Sequence, residues 1–248
     1  MTTPSYIRLE AVASTNSYLT SRAAEQLPHA TVATTDCQTA GRGQRGNSWE
    51  AEPGKNITLS ILLRPQSILA NQQFVVSEIV SLGIVHTLDA YLPTDSHIAI
   101  KWPNDIYVGD KKICGILIEN SLMGNRIVSS VAGIGLNVNQ EVFVSDAPNP
   151  VSMLNVAGKA FPLEEVRDRM CREILTLCDE YDNPDRFAAL HDIYKSRLWR
   201  ADGFYPFTAD GVDFSARIID IAPDGILTLA TPDGARRQFA FKEVAFVL

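Results

Sequence analysis

The sequence predicts an α+β fold, in which a mixed or antiparallel sheet is flanked by helices and followed by a small C-terminal β-barrel. Short apolar runs bounded by turn residues recur through the first half of the chain, and longer segments carry apolar residues at helical spacing. After Arg200 the sequence changes to short alternating runs separated by Asp-Gly pairs, which is typical of a small antiparallel unit. We therefore expect one domain over residues 1–200 and a second over residues 201–248.

The first part of the chain is predicted to contribute three strands and two helices. Ser14-Thr15-Asn16 supplies N-cap chemistry for the first helix. The second helix is long and mostly apolar, so we expect it to pack across the sheet. The strands are Ile7 to Ala11, Thr31 to Asp36 and Ile57 to Leu63, and the helices are Ser17 to Gln26 and Asn71 to Tyr91.

Strands dominate the middle of the sequence, and helices return after it. Gly109-Asp110 provides a hairpin-type turn. Apolar residues from Leu163 to Leu177 mark one face of an amphipathic helix, and Pro184 begins another. The predicted strands are Ile98 to Trp102, Asp105 to Val108, Ile113 to Glu119 and Ile127 to Val138, with Phe214 to Ile221, Ile226 to Ala230 and Arg237 to Phe241 in the C-terminal unit.

Composition argues against several classes of function. The formal net charge is -7, whereas non-specific nucleic-acid binding requires a basic face. We find no segment approaching the roughly 20 apolar residues that span a bilayer, and no secretory signal. The four cysteines form no CxxC pair, so reduced thiols are expected rather than a zinc site. We expect a cytoplasmic protein that acts on neither DNA nor membranes.

A glycine-rich basic loop runs from Gln38 to Trp49. Its glycines allow the backbone to approach a ligand closely, and its two arginines are the only charged side chains between Cys37 and Trp49. Backbone N–H groups beside guanidiniums suit a phosphate or another anion. The loop is neither a P-loop nor a dinucleotide fingerprint, and the alternative is a basic surface loop. The residues concerned are Gly41, Arg42, Gly43, Arg45 and Gly46.

A second polar motif, Lys101-Trp102-Pro103-Asn104-Asp105, breaks an apolar strand, because Pro103 cannot donate to a central ladder. The break presents two side chains at the strand end. Asp105 could hold a divalent ion or orient an amine, and Asn104 could bind a phosphate or an adenine edge. The alternative is a tight turn with local hydrogen bonds.

Two further signals surround the predicted hairpin. A lysine is rarely buried without a partner, so Lys112, which precedes a buried strand, should have an anionic one; a solvated turn is the alternative. Gly133 and Gly135 end the next strand, where they allow a backbone or ligand to come close, and Asn137 follows as a hydrogen-bonding group.

Taken together, the chain resembles the biotin protein ligases, also called biotin–[acetyl-CoA-carboxylase] ligases, in their monofunctional form without a DNA-binding domain. Five motifs in order carry the resemblance, and a small C-terminal barrel completes it. The family has a catalytic domain similar to class II aminoacyl-tRNA synthetases. Its members join biotin to AMP with MgATP and then transfer the biotinyl group to a lysine of a biotin carboxyl carrier protein. The motifs are Ser14 to Asn16, Gln38 to Trp49, Lys101 to Asp105, Lys112 to Ile116 and Gly133 to Asn137.

The resemblance implies roles for individual residues. Lys112, Arg42 and Asp105 would be catalytic, with Asp105 near Mg²⁺ or the acceptor lysine. The expected biotin-binding residues are Ser14, Thr15, Asn16, Gln38, Gly41, Arg42, Lys112, Gly115 and Ile116. The expected ATP- or adenylate-binding residues are Arg45, Trp49, Asn104, Lys112, Asn137 and Lys242.

This chain departs from the pattern at two places. Some members carry Arg-Gly-Arg-Arg-Gly-Arg in the loop, whereas Gln44 and Asn47 stand at two of those arginine positions. Gln44 puts in doubt a contact linked to retention of the activated intermediate. The catalytic region begins almost at Met1, so we expect no repressor function. The alternatives are a lipoate or octanoyl transferase and a non-catalytic biotin-binding module; a monomer and a homodimer both stay open.

Overall fold

A seven-stranded sheet carries the first part of the chain. The computed structural model describes residues 2–23, 27–43, 49–145 and 147–247. In sheet order the strands are β1, β2, β3, β7, β6, β5 and β4. β1 pairs with β2 in parallel and the other neighbours pair antiparallel, so the predicted mixed sheet is confirmed. The bounds are β1 Ser5–Leu9, β2 Thr31–Thr35, β3 Ile57–Leu63, β4 Ile98–Lys101, β5 Asp105–Val108, β6 Lys111–Met123 and β7 Arg126–Leu136.

Helices cover both faces of this sheet. They are α1 Thr15–Ala23, α2 Phe74–Tyr91, α3 Met153–Ala157, α4 Leu163–Tyr181 and α5 Phe187–Ser196. Side chains alternate across a strand, so neighbouring residues of β3 face different helices. Leu62 packs in a small cluster with Leu19 of α1, whereas Ile61 and Leu63 belong to the main core with α2 and α4. α1 therefore lies on one face and the larger helices lie on the other.

α2 is the central helix of the main core. Together with the 3₁₀ turn that precedes it, Ala70–Tyr91 has 22 residues and contains an 18-residue window with a mean hydropathy of 1.3. Contrary to the expectation from the sequence, this segment is therefore long and apolar enough, by length and composition alone, to cross a membrane. However, 72% of that window is buried inside the protein. Its apolar character is thus explained by packing against α4 and α5. Gly83 permits the close approach, because a Cβ there would lie 2.6 Å from Cγ1 of Ile174.

The C-terminal residues form a second, fully antiparallel sheet in the order β11-β10-β9-β8-β12. Asp210-Gly211 joins β8 to β9, with positive φ at both residues (52° and 76°), as a tight hairpin turn requires. The α+β class and the antiparallel C-terminal unit are confirmed. The strands are β8 Tyr205–Ala209, β9 Val212–Ile221, β10 Leu227–Ala230, β11 Arg236–Phe239 and β12 Ala245–Phe246.

Several predicted boundaries are wrong by a few residues. α1 begins at Thr15, not Ser17, and α2 begins at Phe74, not Asn71. β1 lies two residues earlier than predicted, and β6 continues to Met123. α3, β8 and β12 were not predicted.

Candidate active site

A cavity of about 820 Å³ opens on the face of the large sheet that α1 covers. Segments distant in sequence meet there: the start of α1, the glycine-rich loop, β3, β5, β6, β7 and the C-terminal unit. Arg42 and Lys112 both line it, so the two predicted cationic groups share one space. The predicted site residues that line the cavity are Ser14, Thr15, Asn16, Gln38, Arg42, Trp49, Asp105, Lys112, Gly115, Ile116 and Lys242.

Other predicted site residues lie elsewhere. Gly41 lies behind Gln38, where a Cβ would be 3.1 Å from its Nε2. Asn104 and Asn137 are buried and do not line the cavity, and in the described part of the chain the Oδ1 atom of each has no hydrogen-bond partner. Their predicted nucleotide contacts stay predictions. Arg45, with Gln44 and Asn47, lies outside the described residues.

A polar cluster forms where α1 begins. Oε1 of Gln38 accepts from the backbone N–H of Thr15 at 2.9 Å and from its hydroxyl at 3.2 Å. Oγ of Ser60, a fully buried residue of β3, lies 2.8 Å from Oγ1 of Thr15 and donates to Oδ1 of Asn16 at 2.5 Å. Sequence reasoning missed Ser60, although a single serine inside the apolar run of β3 was a usable signal.

Two cross-strand rows explain the glycines. In one row Thr58, Gly135 and Gly115 lie side by side, and the indole of Trp49 covers the two glycines. A Cβ at Gly135 would lie 2.4 Å from Trp49 Nε1, and a Cβ at Gly115 would lie 2.8 Å from its Cζ3. Only bare backbone leaves space for the ring. In this structure a side chain of the same protein makes the close approach that the glycines permit.

The second row joins Ser60, Gly133 and the backbone of Leu117 beneath Asn16. A Cβ at Gly133 would lie 2.2 Å from Oδ1 of Asn16. The amide of Asn16 donates to the Leu117 carbonyl at 3.1 Å and to Glu119 Oε2 at 3.0 Å. Both ends of this amide are thus held by the protein, and Asn16 orients its neighbours as well as lining the cavity.

Lys112 and Arg42, the two cations among the predicted catalytic residues, are each paired with a carboxylate. Lys112 Nζ lies 2.7 Å from Asp105 Oδ2, which supplies the anionic partner expected for Lys112. Arg42 Nη2 lies 2.9 Å and 3.2 Å from the two carboxylate oxygens of Glu119. Lys112 also lies 5.8 Å from the ring centroid of Trp49. The site therefore combines local positive charge, acidic counterions and an aromatic surface.

The Lys101 to Asp105 motif is more than a turn, because it joins the two sheets. Lys101 Nζ lies 3.1 Å from the hydroxyl of Tyr107 and between 5.1 and 5.6 Å from the rings of Tyr107, Trp199 and Phe246. Burial lowers the pKa of Lys101 and raises the pKa of Tyr107 to about 12. Trp102 Nε1 donates to the Gly225 carbonyl at 2.9 Å. These contacts help to fix Asp105 in place.

Asp105 is the one carboxylate among the described residues that line the cavity, and a carboxylate oxygen is a ligand that Mg²⁺ accepts. Among the described residues no group of three or more His, Cys, Asp or Glu side chains is placed to hold a metal ion. Asp105 is a single carboxylate, already paired with Lys112. Mg²⁺ in nucleotide enzymes is commonly held by one or two carboxylates together with substrate phosphates. The described residues fit only an ion that would be carried mainly by the phosphates of a nucleotide, and the assignment of Asp105 as its ligand stays a prediction.

Residues 9–137, just over half of the chain, match the model of the biotin/lipoate A/B protein ligase family. The bifunctional ligase/repressor BirA of Bacillus subtilis is 28% identical over 220 residues, which cover 86% of this chain and 65% of that protein. The biotin–[acetyl-CoA-carboxylase] ligase of Paracoccus denitrificans is 35% identical over 136 residues, which cover 53% of this chain and 55% of that protein. The chain thus spans about two thirds or less of the length of these relatives.

Solved structures share the fold over nearly the whole chain. The biotin protein ligase of Aquifex aeolicus in complex with biotin and ATP superposes with a TM-score of 0.79 at 22% identity, covering 97% of each chain. The Leishmania major biotin protein ligase in complex with biotinyl-5-AMP gives 0.67 at 20% identity, covering 96% of this chain and 99% of that one. The family-model match, which extends from β1 to the asparagine after β7, shows that this chain belongs to the biotin/lipoate A/B protein ligase family.

Proposed function

We propose that this protein is an ATP-dependent biotin protein ligase. It forms biotinyl-5′-AMP from biotin and ATP, and then transfers the biotinyl group to a lysine of a biotin carboxyl carrier protein. This proposal rests mainly on one observation. Arg42 and Lys112, which are distant in sequence, line one cavity together with the polar cluster at the start of α1. Two of the similar proteins are named as biotin ligases, which supports the same assignment.

The biotin end of the cavity is assigned to the α1 cluster. Biotin has an apolar fused ring and a polar ureido head, so its pocket needs apolar walls and a few fixed hydrogen-bonding groups. Ser14, Thr15 and Gln38 supply the polar groups, and Leu117, on the same face of β6 as Gly115, supplies apolar surface. A volume of about 820 Å³ lies within the usual range of about 300–1,000 Å³ for small-molecule sites.

The first step needs cations because both reactants are anions. Two like charges 4 Å apart repel by about 4 kcal/mol at an effective dielectric of 20. A carboxylate oxygen of biotin attacks the α-phosphorus, the bond between that phosphorus and the bridging oxygen breaks, and pyrophosphate leaves. Lys112 and Arg42 offset the repulsion and orient the reactants, and no side-chain nucleophile takes part. When bound, Mg²⁺ neutralises charge on the phosphates.

In the second step the acceptor lysine amine attacks the acyl carbon, and AMP leaves with the oxygen that joined it to the biotinyl group. The amine loses a proton as the amide forms. Asp105 is the described carboxylate on the cavity wall next to Lys112. We assign to it the orientation of the incoming amine, together with the contact to Mg²⁺. Trp49, beside Lys112, is assigned to the adenine base.

The family also contains lipoate ligases, so the test must distinguish the acyl group. The purified chain is mixed with MgATP, a biotin carboxyl carrier domain and either biotin or lipoate. Pyrophosphate release and the mass of the carrier are measured. We expect release and a mass increase of one biotinyl group with biotin only. Modification with lipoate alone would identify a lipoate ligase. If neither acid gives pyrophosphate release and a calorimetric titration shows that biotin still binds, the chain is a non-catalytic binding module.

A further inference from the structure

Glu119 has no role in the proposed reaction, yet it contacts two residues of the site. Its Oε2 accepts from Arg42 Nη2 at 2.9 Å and from Asn16 Nδ2 at 3.0 Å, and its Oε1 lies 3.2 Å from the same Arg42 nitrogen. One carboxylate therefore joins the glycine-rich loop to the start of α1. Both partners line the cavity.

The strand register explains how Glu119 reaches these partners. Gly115, Leu117 and Glu119 alternate along β6 and face the same side of the sheet. Gly115 presents bare backbone to Trp49, and Leu117 presents its carbonyl to Asn16. Glu119 comes one step further along and does not itself line the cavity; its side chain is 32% exposed. A charged group at this position meets Arg42 without being buried.

Its negative charge opposes the ligand that Arg42 is expected to bind. The biotin carboxylate and the acyl phosphate are anions. The Arg42 guanidinium that would bind such an anion is already paired with the carboxylate of Glu119. The anion must share the guanidinium with Glu119 or replace it there. In both cases the like charges repel, which weakens the binding of the anion.

We propose that Glu119 is a positioning residue that fixes Arg42 and limits how tightly Arg42 holds an anionic ligand. This inference rests on the proposed function, because it takes biotin and its adenylate as the ligands. By limiting the affinity of Arg42 for the phosphate, Glu119 favours the release of AMP after the biotinyl group has been transferred. It also fixes Asn16, so the loop and α1 respond together when the contact with Arg42 changes.

Glu119→Gln is the informative substitution, because glutamine keeps the length and an acceptor oxygen but removes the charge. Isothermal calorimetry would compare two ligands, biotin and its uncharged methyl ester. Four proteins are needed: the unmodified chain, Glu119→Gln, Arg42→Ala and the double variant. We expect Glu119→Gln to bind biotin about fivefold more tightly, which corresponds to a partly exposed ion pair, and to bind the ester unchanged. In the Arg42→Ala background the effect of Glu119→Gln should disappear.

Three results would overturn the proposal. An equal change for biotin and ester would show a structural role without charge selectivity. Weaker biotin binding by Glu119→Gln would show that the carboxylate aids the anion. Persistence of the effect without Arg42 would show that it does not act through that residue. If the unmodified chain binds neither biotin nor its ester, the proposed function itself fails, and the role of Glu119 fails with it.

Discussion

The ammonium of Lys112 lies 2.7 Å from Oδ2 of Asp105, which places a cation of β6 against an anion of the neighbouring strand β5 on the wall of one cavity. The two proposed steps use these charges in turn. In the proposed reaction, a phosphate that binds Lys112 would compete with Asp105 for the ammonium, and Asp105 would then be available for the acceptor amine. The ion pair would in this way link adenylate formation to transfer.

Lys112→Ala should fold but form biotinyl-5′-AMP very slowly, because the α-phosphate loses the charge that stabilises it. We expect a loss of about 10²- to 10³-fold, the usual cost of removing one electrostatic stabiliser. The measurement is biotin-dependent pyrophosphate release. Lys111→Ala is the matched control, since Lys111 is adjacent and exposed, and it should keep the rate. Equal rates of pyrophosphate release for both variants would show that Lys112 takes no part in the reaction.

Gly135→Ala should weaken ATP binding more than biotin binding. The added methyl group would lie 2.4 Å from Nε1 and Cε2 of Trp49, so the indole must move away from β7. Calorimetric titration with each ligand measures the two affinities separately. Gly203→Ala is the control, because a Cβ there meets only Tyr205, at 3.6 Å. A matching loss of affinity for both ligands would contradict the assignment of Trp49 to the nucleotide.

Ser60→Ala should lower biotin affinity and stability together. The hydroxyl that donates to Asn16 Oδ1 is fully buried, and its loss leaves that oxygen without this donor. An unsatisfied buried polar group costs about 1–3 kcal/mol. Urea unfolding and biotin titration measure the two effects. Ser21→Ala, on the exposed side of α1, should change neither. Unchanged biotin affinity in Ser60→Ala would mean that this hydroxyl does not position the α1 cluster.

His191 and Glu78 give the stability a pH dependence. Nδ1 of His191 lies 2.5 Å from Oε1 of Glu78, and its Nε2 lies 2.6 Å from the Ile221 carbonyl oxygen. The hydrogen bond to Glu78 raises the pKa of His191 above its usual 6.5, and burial raises the pKa of Glu78 above 4.5. The folded state binds more protons than the unfolded state, so this pair stabilises less as the pH rises.

The free energy of unfolding should therefore fall as the pH rises above 6.5 and through the raised pKa of His191. Urea unfolding at several pH values between about 6 and 9 measures the slope. His191→Gln should reduce that slope. His86→Gln, which changes a partly exposed histidine of α2, serves as the control and should keep it. Identical slopes for His191→Gln and the unmodified chain would show that the pair does not set the dependence.

Local sequence signals were sufficient for the fold class and for the motifs. The fully buried β3 was predicted with correct bounds because its seven residues are strongly apolar and end at Arg64-Pro65. The Asp-Gly turns gave the antiparallel C-terminal unit because they require a backbone that few other residues adopt. Each of these features is determined by neighbouring residues.

Contacts between distant segments could not be predicted in the same way. Glu119 meets Arg42 across 77 positions, and His191 meets Glu78 across 113. The sequence marked Gly133 and Gly135 as points of close approach, but only the register of β3, β6 and β7 shows that Asn16 and Trp49 lie there. No local pattern in the sequence indicates the contact between His191 and Glu78.

A crystal structure of this chain with biotinyl-5′-AMP would test most directly whether Arg42 and Lys112 bind the same ligand. We predict that the acyl phosphate lies within hydrogen-bond distance of both Arg42 and Lys112, with the biotin ring against Thr15 and Gln38. An adenylate bound in another place, or contacting neither cation, would contradict it.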